Sequence, residues 1–358
     1  MKKYNLLIVL RKWQKNVDFA DEYDFERIQK YVEIMGKKVN IISTVIHINQ
    51  YDKYKSRDWD IFLFVGGTDK GNTIIKDLNN RPVFMWAKAY NIFPDSKWKF
   101  SLNNVSIFFD SSYLSTLKND DRLKRYYLPT GFHSDWSFKK KLTKNVIKEF
   151  LFKKKSREYI NTIDILFSGS NRTHRRDQYR QKLLNSLSDL GLKIGVSAPK
   201  SVWERSHSKK VETVTLNENI LFSPTKHWAH SYLYSNAKVV LDLPWLDTMW
   251  HEMDLYNPQL ALGWNIFRAG ASGANILTYD CKMNRDIGLS EDNVYFYKND
   301  IKDISVLAGE VFGIVKSMKE RNIINNRVMV RKLFHDKHAY AHRWHFIFSK
   351  ISDYLDNY

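Results

Sequence analysis

Two series of short apolar runs, separated by amphipathic or polar stretches, constrain this chain more than any other feature. The first series begins with Tyr4 to Leu10 (YNLLIVL) and continues with Val39 to Ile42, Asp60 to Val65, residues 82–87 (PVFMWA) and residues 105–109 (VSIFF). The second comprises residues 163–167, 193–196, 219–222, 238–243, 274–279 and 294–297. Runs this short and this apolar suit strands buried on both faces. The stretches between them suit helices. In residues 20–36, Phe25, Ile28, Tyr31, Val32 and Met35 recur at helical spacing, and Gly36 supplies a stop. The alternation predicts an α/β chain whose parallel sheets are covered by helices.

Residues 139–157 lie between the two series and carry nine Lys/Arg against one acid, Glu149. A boundary near 135–160 follows. The expected division is a first domain over 1–135, a basic linker over 136–160, a second domain over 161–337 and a C-terminal helix within 338–358. A length of 358 residues suits about two domains. Over the whole chain, 57 Lys+Arg against 39 Asp+Glu give a net charge of +18, more than solubility needs. Such a charge points to a polyanionic partner, nucleic acid or an anionic surface. The basic run also reads as a solvated linker. Its place at a domain boundary favours a contact of Lys139, Lys140 and Lys141 with a phosphate backbone. Cys281 is the single cysteine, so no intrachain disulfide forms. Leu6 to Leu10 is too short for a signal-peptide core or a membrane span. A cytoplasmic monomer with no membrane partner is expected.

Two stretches carry the chemistry. Ile163 to Asp177 (IDILFSGSNRTHRRD) begins as an apolar strand, breaks at Ser168-Gly169-Ser170, and presents Arg172, Arg175 and Arg176 before a helix over about 177–191. A strand that turns through small residues into a helix aims free backbone N–H groups above its C-terminal edge. Guanidinium groups there suit a diphosphate, whose oxygens they bind through paired N–H bonds. An ordinary turn with solvated arginines has the same pattern. Asn265 to Asp280 (NIFRAGASGANILTYD) reads as an N-cap at Asn265, a short helix over Ile266 to Ser272, a left-handed stop at Gly273 and a strand over Ala274 to Tyr279. Its helix would offer a second phosphate-binding dipole.

This helix–glycine–strand order resembles the donor-nucleotide signature of GT-B glycosyltransferases. Two families are similar in more detail, the DNA β-glucosyltransferases of T-even bacteriophages and the bacterial spore-maturation glycosyltransferases. Residues 35–43 (MGKKVNIIS) resemble the phage enzyme's second-strand entry, and Ser168 to Asp177 its Gly-Ser-x-Arg-x3-Arg element. Residues 127–131 (YLPTG) resemble the turn before its linker, and residues 338–343 (HAYAHR) resemble the tail of the bacterial family. The resemblance implies two Rossmann-like domains facing across a cleft. It also implies a nucleotide-sugar donor, a UDP-sugar, held by Gly169, Ser170, Arg172, Arg176, Asn265 and Arg268. The favoured acceptor is a hydroxymethylated pyrimidine in DNA; a bacterial surface glycan or protein is the alternative, and a non-catalytic DNA-binding relative a third. A carboxylate of the first helix, Asp24 in preference to Glu26, would be the catalytic base.

The chain also departs from the GT-B pattern. Arg268 stands where a Glu usually accepts hydrogen bonds from the ribose, and Arg cannot accept them. Asn265 stands where a basic residue is common. The stretch holding Trp245, Asp247, His251, Glu252 and Asp254 could supply the missing carboxylate. Gly67, in the strand-end run Gly66-Gly67-Thr68, allows close ligand approach or makes a plain turn. His133 and Asp135 follow the linker turn and are further candidates for substrate contact. Asp58-Trp59-Asp60 spells an acid–x–acid metal motif, but it precedes a strand and reads as polar strand entry. No visible motif requires a metal.

Overall fold

A computed structural model of the protein describes residues 3–11, 25–66, 69–78, 81–87, 104–110, 123–129, 132, 163–167, 174–197, 216–222, 233–234, 237–243, 264–298 and 303–357. The chain divides into two compact units, Met1–His133 with His338–Tyr358, and Ser134–Lys337.

In the first unit the elements run β1 (Tyr4–Leu10), α1 (Phe25–Lys38), β2 (Ile41–His47), α2 (Tyr51–Tyr54), β3 (Ile61–Val65), α3 (Asp69–Asp77), β4 (Val83–Ala87), β5 (Ile107–Asp110) and β6 (Lys124–Tyr127). The strands form one parallel sheet in the order β2-β1-β3-β4-β5-β6. Successive side chains of a strand point to opposite faces, and here both faces are covered. Leu6, Ile8, Leu10, Leu63, Trp86 and Phe109 pack with Ile28 and Val32 of α1. Leu7, Val9, Phe62, Phe64, Met85 and Phe108 pack with Ile74, Ile75 and Leu78, on and just beyond α3. This two-sided burial explains why the strands read as continuous apolar runs.

The second unit runs β7 (Ile165–Phe167), α4 (His174–Asp189), β8 (Ile194–Val196), β9 (Leu221–Phe222), β10 (Val239–Leu241), α5 (Trp264–Ala271), β11 (Ile276–Tyr279), α6 (Lys282–Asp286), β12 (Tyr295–Tyr297), α7 (Ile304–Ser317) and α8 (Glu320–Lys337). Its sheet is also parallel, ordered β12-β11-β10-β7-β8-β9. Counted within the unit this is 3-2-1-4-5-6 read from the other edge, the doubly wound order of dinucleotide-binding folds. Among the described residues no helix is long and apolar enough to cross a membrane.

The last helix, α9 (Tyr340–Asp356), returns to the first unit. Trp344 meets Trp86 edge-on at 5.6 Å between ring centroids, and Ile347, Phe348 and Ile351 join the same core. The entry to α9 is fixed by polar bonds. The Tyr340 N–H donates to Phe132 O at 2.8 Å, and buried Arg343 donates to Pro129 O at 2.9 Å and to His338 Nδ1 at 2.8 Å. Arginine has no acceptor, so His338 carries its proton on Nε2. Burial pulls the Arg343 guanidinium down to about 10. The His338-to-Arg343 motif is therefore, at its two ends, a clasp that holds α9 in the first unit.

Several boundaries differ from the sequence reading. Gly36 does not end α1, which runs on to Lys38; the left-handed residue is Asn40, at φ 55°. Gly36 is needed for a different reason, since a Cβ there would run into Ile41 O. Helix α4 begins at His174 rather than 177, which draws Arg175 and Arg176 into its first turn. Helix α5 begins at Trp264, so Asn265 lies in its first turn and is not its N-cap. Gly273, at φ 68°, has the expected left-handed conformation. Strand β6 (KRYY) went unpredicted because it is the polar edge of its sheet, with Lys124 exposed.

Candidate functional site

In a doubly wound sheet, ligands bind beyond the C-terminal ends of the strands where the connections diverge to either side. In the second unit that point lies between β7 and β10, with β8 and β9 to one side and β11 and β12 to the other. Phe167 and Leu241 are register partners at the two strand ends. The residue after Leu241 is Asp242, 9% exposed.

A buried polar network surrounds this acid. Thr278 of the neighbouring strand donates its hydroxyl proton to Asp242 Oδ2 at 2.9 Å. Its direction is fixed because Thr278 Oγ1 accepts from Asn284 Nδ2 at 3.0 Å, while the same amide donates to Tyr279 O at 2.7 Å. The Tyr297 hydroxyl donates to Asp242 O at 3.2 Å. Arg180 of α4 is buried and lies over the Phe167 ring, 5.2 Å from its centroid. Burial raises the Asp242 carboxyl to about 6, against the lowering effects of the Thr278 hydrogen bond and the Arg180 charge. On the other side of β7, Ser197 follows β8; its N–H donates to Phe167 O at 3.0 Å, and its buried hydroxyl has no partner among the described residues.

The sequence-predicted residues fall in three groups. Asp24, Gly67, His133, Lys139, Lys140, Lys141, Gly169, Ser170 and Arg172 lie outside the described residues, as do Asp135 and the stretch from Trp245 to Asp254. Arg176 is placed by its backbone in the first turn of α4, the helix that follows β7; its side chain lies outside the description. Asn265 and Arg268 are both on α5, Arg268 buried at 5% exposure, with its carbonyl accepting from the Ser272 hydroxyl at 2.8 Å. The acid–x–acid stretch is strand entry: Asp60 Oδ2 accepts from the Asn5 N–H at 2.8 Å, and buried Trp59 donates to Tyr54 O at 2.8 Å. Among the described residues no three His, Cys, Asp or Glu side chains gather as metal ligands.

Sequence reading missed Asp242, Thr278, Asn284 and Arg180. One signal was available: an acid within an otherwise apolar strand run, KVVLDL, needs buried partners.

No protein-family model matches the chain, and no curated protein matches its sequence. Solved structures do match. A glycosyltransferase from Rickettsia africae superposes with a TM-score of 0.63 at 12% identity, covering 100% of both chains. The Anabaena HepE protein in complex with UDP and glucose gives 0.55 at 10% identity, over 99% of this chain and 100% of that one. The DNA-modifying enzyme β-glucosyltransferase, solved with and without uridine diphosphoglucose, gives 0.54 at 13% identity, over 97% and 99%. The fold is GT-B. At such identities the likeness carries the GT-B architecture alone.

Proposed function

We propose that this chain is a glycosyltransferase that moves a sugar from a UDP-sugar to a hydroxymethylated pyrimidine in DNA. The observation that carries the reading is the doubly wound order of the second unit, with the Ser168-to-Arg176 stretch leaving β7 at its switch point. Gly169, Ser170, Arg172 and Arg176 are the proposed diphosphate ligands, with α5 and its Asn265 and Arg268 on the nucleotide side. Arginine there stabilises the departing diphosphate as negative charge develops. Asp24 is the proposed base, taking the acceptor hydroxyl proton as that oxygen attacks the anomeric carbon. Gly67 and His133 are proposed to contact the substrates, and Lys139, Lys140 and Lys141 the DNA backbone.

Two of the three structures named above are solved with UDP or a UDP-sugar, and one of these is a DNA-modifying enzyme. The +18 charge favours DNA over a neutral glycan. The test incubates the purified chain with modified and unmodified DNA and a panel of nucleotide-sugars, followed by mass spectrometry of the nucleosides. A hexose or pentose adduct confined to hydroxymethylated DNA is expected. Transfer to a glycan with salt-insensitive or absent DNA binding would move the acceptor. An absence of both transfer and sugar-nucleotide hydrolysis would leave a non-catalytic relative, a reading that Arg268 keeps open.

A further inference from the structure

We propose that Asp242 recognises a hydroxyl of the nucleotide-sugar at the switch point of the second unit, with Ser197, across β7 from it, as a second polar contact, a role resting on the donor reading above. Register carries the geometry. Phe167 pairs with Val196 on one side and with Leu241 on the other, so Ser197 and Asp242 flank the strand end from which residues 168–173 depart. Adjacent strands lie about 4.8 Å apart, so the two polar groups, one on each side of β7, stand about 10 Å apart, a span that an extended nucleotide-sugar can bridge.

The chemistry follows from what each group lacks. Asp242 Oδ2 is occupied by Thr278, whereas Oδ1 has no partner among the described residues. The Ser197 hydroxyl is likewise unpartnered there. Buried polar atoms are almost always satisfied, so the unsatisfied Ser197 hydroxyl beside a ligand-binding strand end calls for a ligand atom, and Asp242 Oδ1 offers an acceptor at the same end of the sheet. A carboxylate repels phosphate, so its ligand is an uncharged donor group, a ribose or hexose hydroxyl. The diphosphate falls to the arginines, and the acid supplies the acceptor that Arg268 cannot. The Thr278–Asn284 pair holds the carboxyl in place, and the Arg180 charge helps to keep it ionised. The titratable or charged groups facing Asp242 among the described residues are Arg180 from α4, Cys281 after β11, and Tyr297 of β12, whose hydroxyl bonds its carbonyl.

The experiment is calorimetric titration of the full chain with UDP-glucose, UDP and inorganic pyrophosphate. Asp242→Asn is expected to weaken UDP-glucose at least tenfold and to leave pyrophosphate unchanged; Ser197→Ala should weaken UDP-glucose a few-fold. A loss shared by UDP places the hydroxyl on the ribose, and a loss confined to UDP-glucose places it on the hexose. Wild-type affinity for UDP-glucose should also fall about tenfold from pH 7.5 to pH 5, as protonation removes the acceptor, and the Asn variant should not follow. If Asp242→Asn folds poorly, Ser197→Ala and the wild-type pH profile decide. Equal loss of all three ligands, or wild-type affinity with an unchanged pH profile, would overturn the role of Asp242 and leave the donor reading intact. A wild-type chain that binds none of the three would remove the donor reading and this inference together.

Discussion

The two sheets of this molecule share an architecture and differ in what they bury. The first has the longer strands, with β1 and β2 of seven residues each, whereas no described strand of the second exceeds four. Among the described residues the buried polar side chains of the first unit are His338 and Arg343, both in the clasp at the start of α9. The second unit buries Arg180, Gln181, Ser197, Asp242, Arg268, Ser272, Asn275, Thr278, Asn284, Asn293 and Asn326. Burying a polar group without full compensation costs about 1–3 kcal/mol by mutational measures. A fold does not need this, since the first unit builds a parallel six-stranded sheet whose interior is almost wholly apolar among the described residues. Among the described residues the second unit therefore has the more polar interior, and under the donor reading proposed above that polarity serves a ligand while the first unit's sheet is scaffold.

If that contrast is right, chemistry in the first unit must come from outside its sheet, and Asp24 is the sharpest case. Asp24→Asn is expected to lower turnover in the proposed transfer by about 10²–10⁴-fold, with unchanged stability and donor affinity. Normal turnover with a dead Glu26→Gln variant would move the base by two residues; activity in both would exclude the helix start. Trp344→Ala tests the same unit as scaffold. It removes a buried ring from the core against Trp86 and should cost about 3–5 kcal/mol in chemical denaturation. A cost under about 1 kcal/mol would show that α9 is dispensable to that core.

Asp242→Asn should behave in the opposite way. The folded carboxyl is raised to about 6 from 3.8, so its ionised form opposes folding. Relative to the Asn variant, the acid's stabilising contribution is fully present below about pH 4 and is lost as pH rises through about 6. The whole swing is about 3 kcal/mol. The variant is therefore expected to gain on the wild type between pH 4 and pH 7.5 in paired denaturation curves. A pH-independent difference would mean that Arg180 and Thr278 compensate the charge in full. A gain here, with the binding loss expected of the same substitution, would show an acid kept for its ligand at the expense of stability.

Arg172→Ala and Arg176→Ala probe the ligand without the core. Each should weaken nucleoside-diphosphate binding by about 1.5–3 kcal/mol for a lost charged hydrogen bond, with little change in stability. Unchanged calorimetric affinity in both would return these arginines to a solvated turn.

How far the sequence reveals this contrast depends on the range of the interactions. Both strand series were legible because strands buried on two faces must be apolar throughout, as Leu6 to Leu10 are. The signal of the Ser168-to-Arg176 stretch is local, and its residues 168–173 lie outside the described ones. The Asp242 network was not legible. Thr278 lies 36 residues from its partner, and each member reads alone as an ordinary polar residue near a strand end. Arg180 was hidden for the same reason, appearing as one more basic residue on an amphipathic helix. Strand β6 escaped because a polar edge strand lacks the apolar run that marks a buried one.

The smallest expected effects concern two positions with positive φ, one in each unit. Gly273 follows α5 at φ 68°, and Asn40 precedes β2 at φ 55°. In that conformation a Cβ crowds the backbone, at a cost of about 1–2 kcal/mol for an ordinary residue. A Cβ on Gly273 would also approach Arg327 O and the Arg331 side chain at 3.4–3.5 Å, ordinary contact distances that add little strain. Gly273→Ala should therefore cost about 1–2 kcal/mol from the backbone alone. Asn tolerates the left-handed region better than other side chains, while glycine adds freedom to the unfolded chain, so Asn40→Gly should change stability by less than about 1 kcal/mol. Gly36→Ala separates conformation from space: Gly36 has ordinary helical placement but its Cβ would meet Ile41 O, so it should destabilise more than Asn40→Gly. Equal effects at Gly36 and Asn40 would mean that α1 and β2 can move apart. The first unit would then be a more yielding scaffold than its apolar sheet implies.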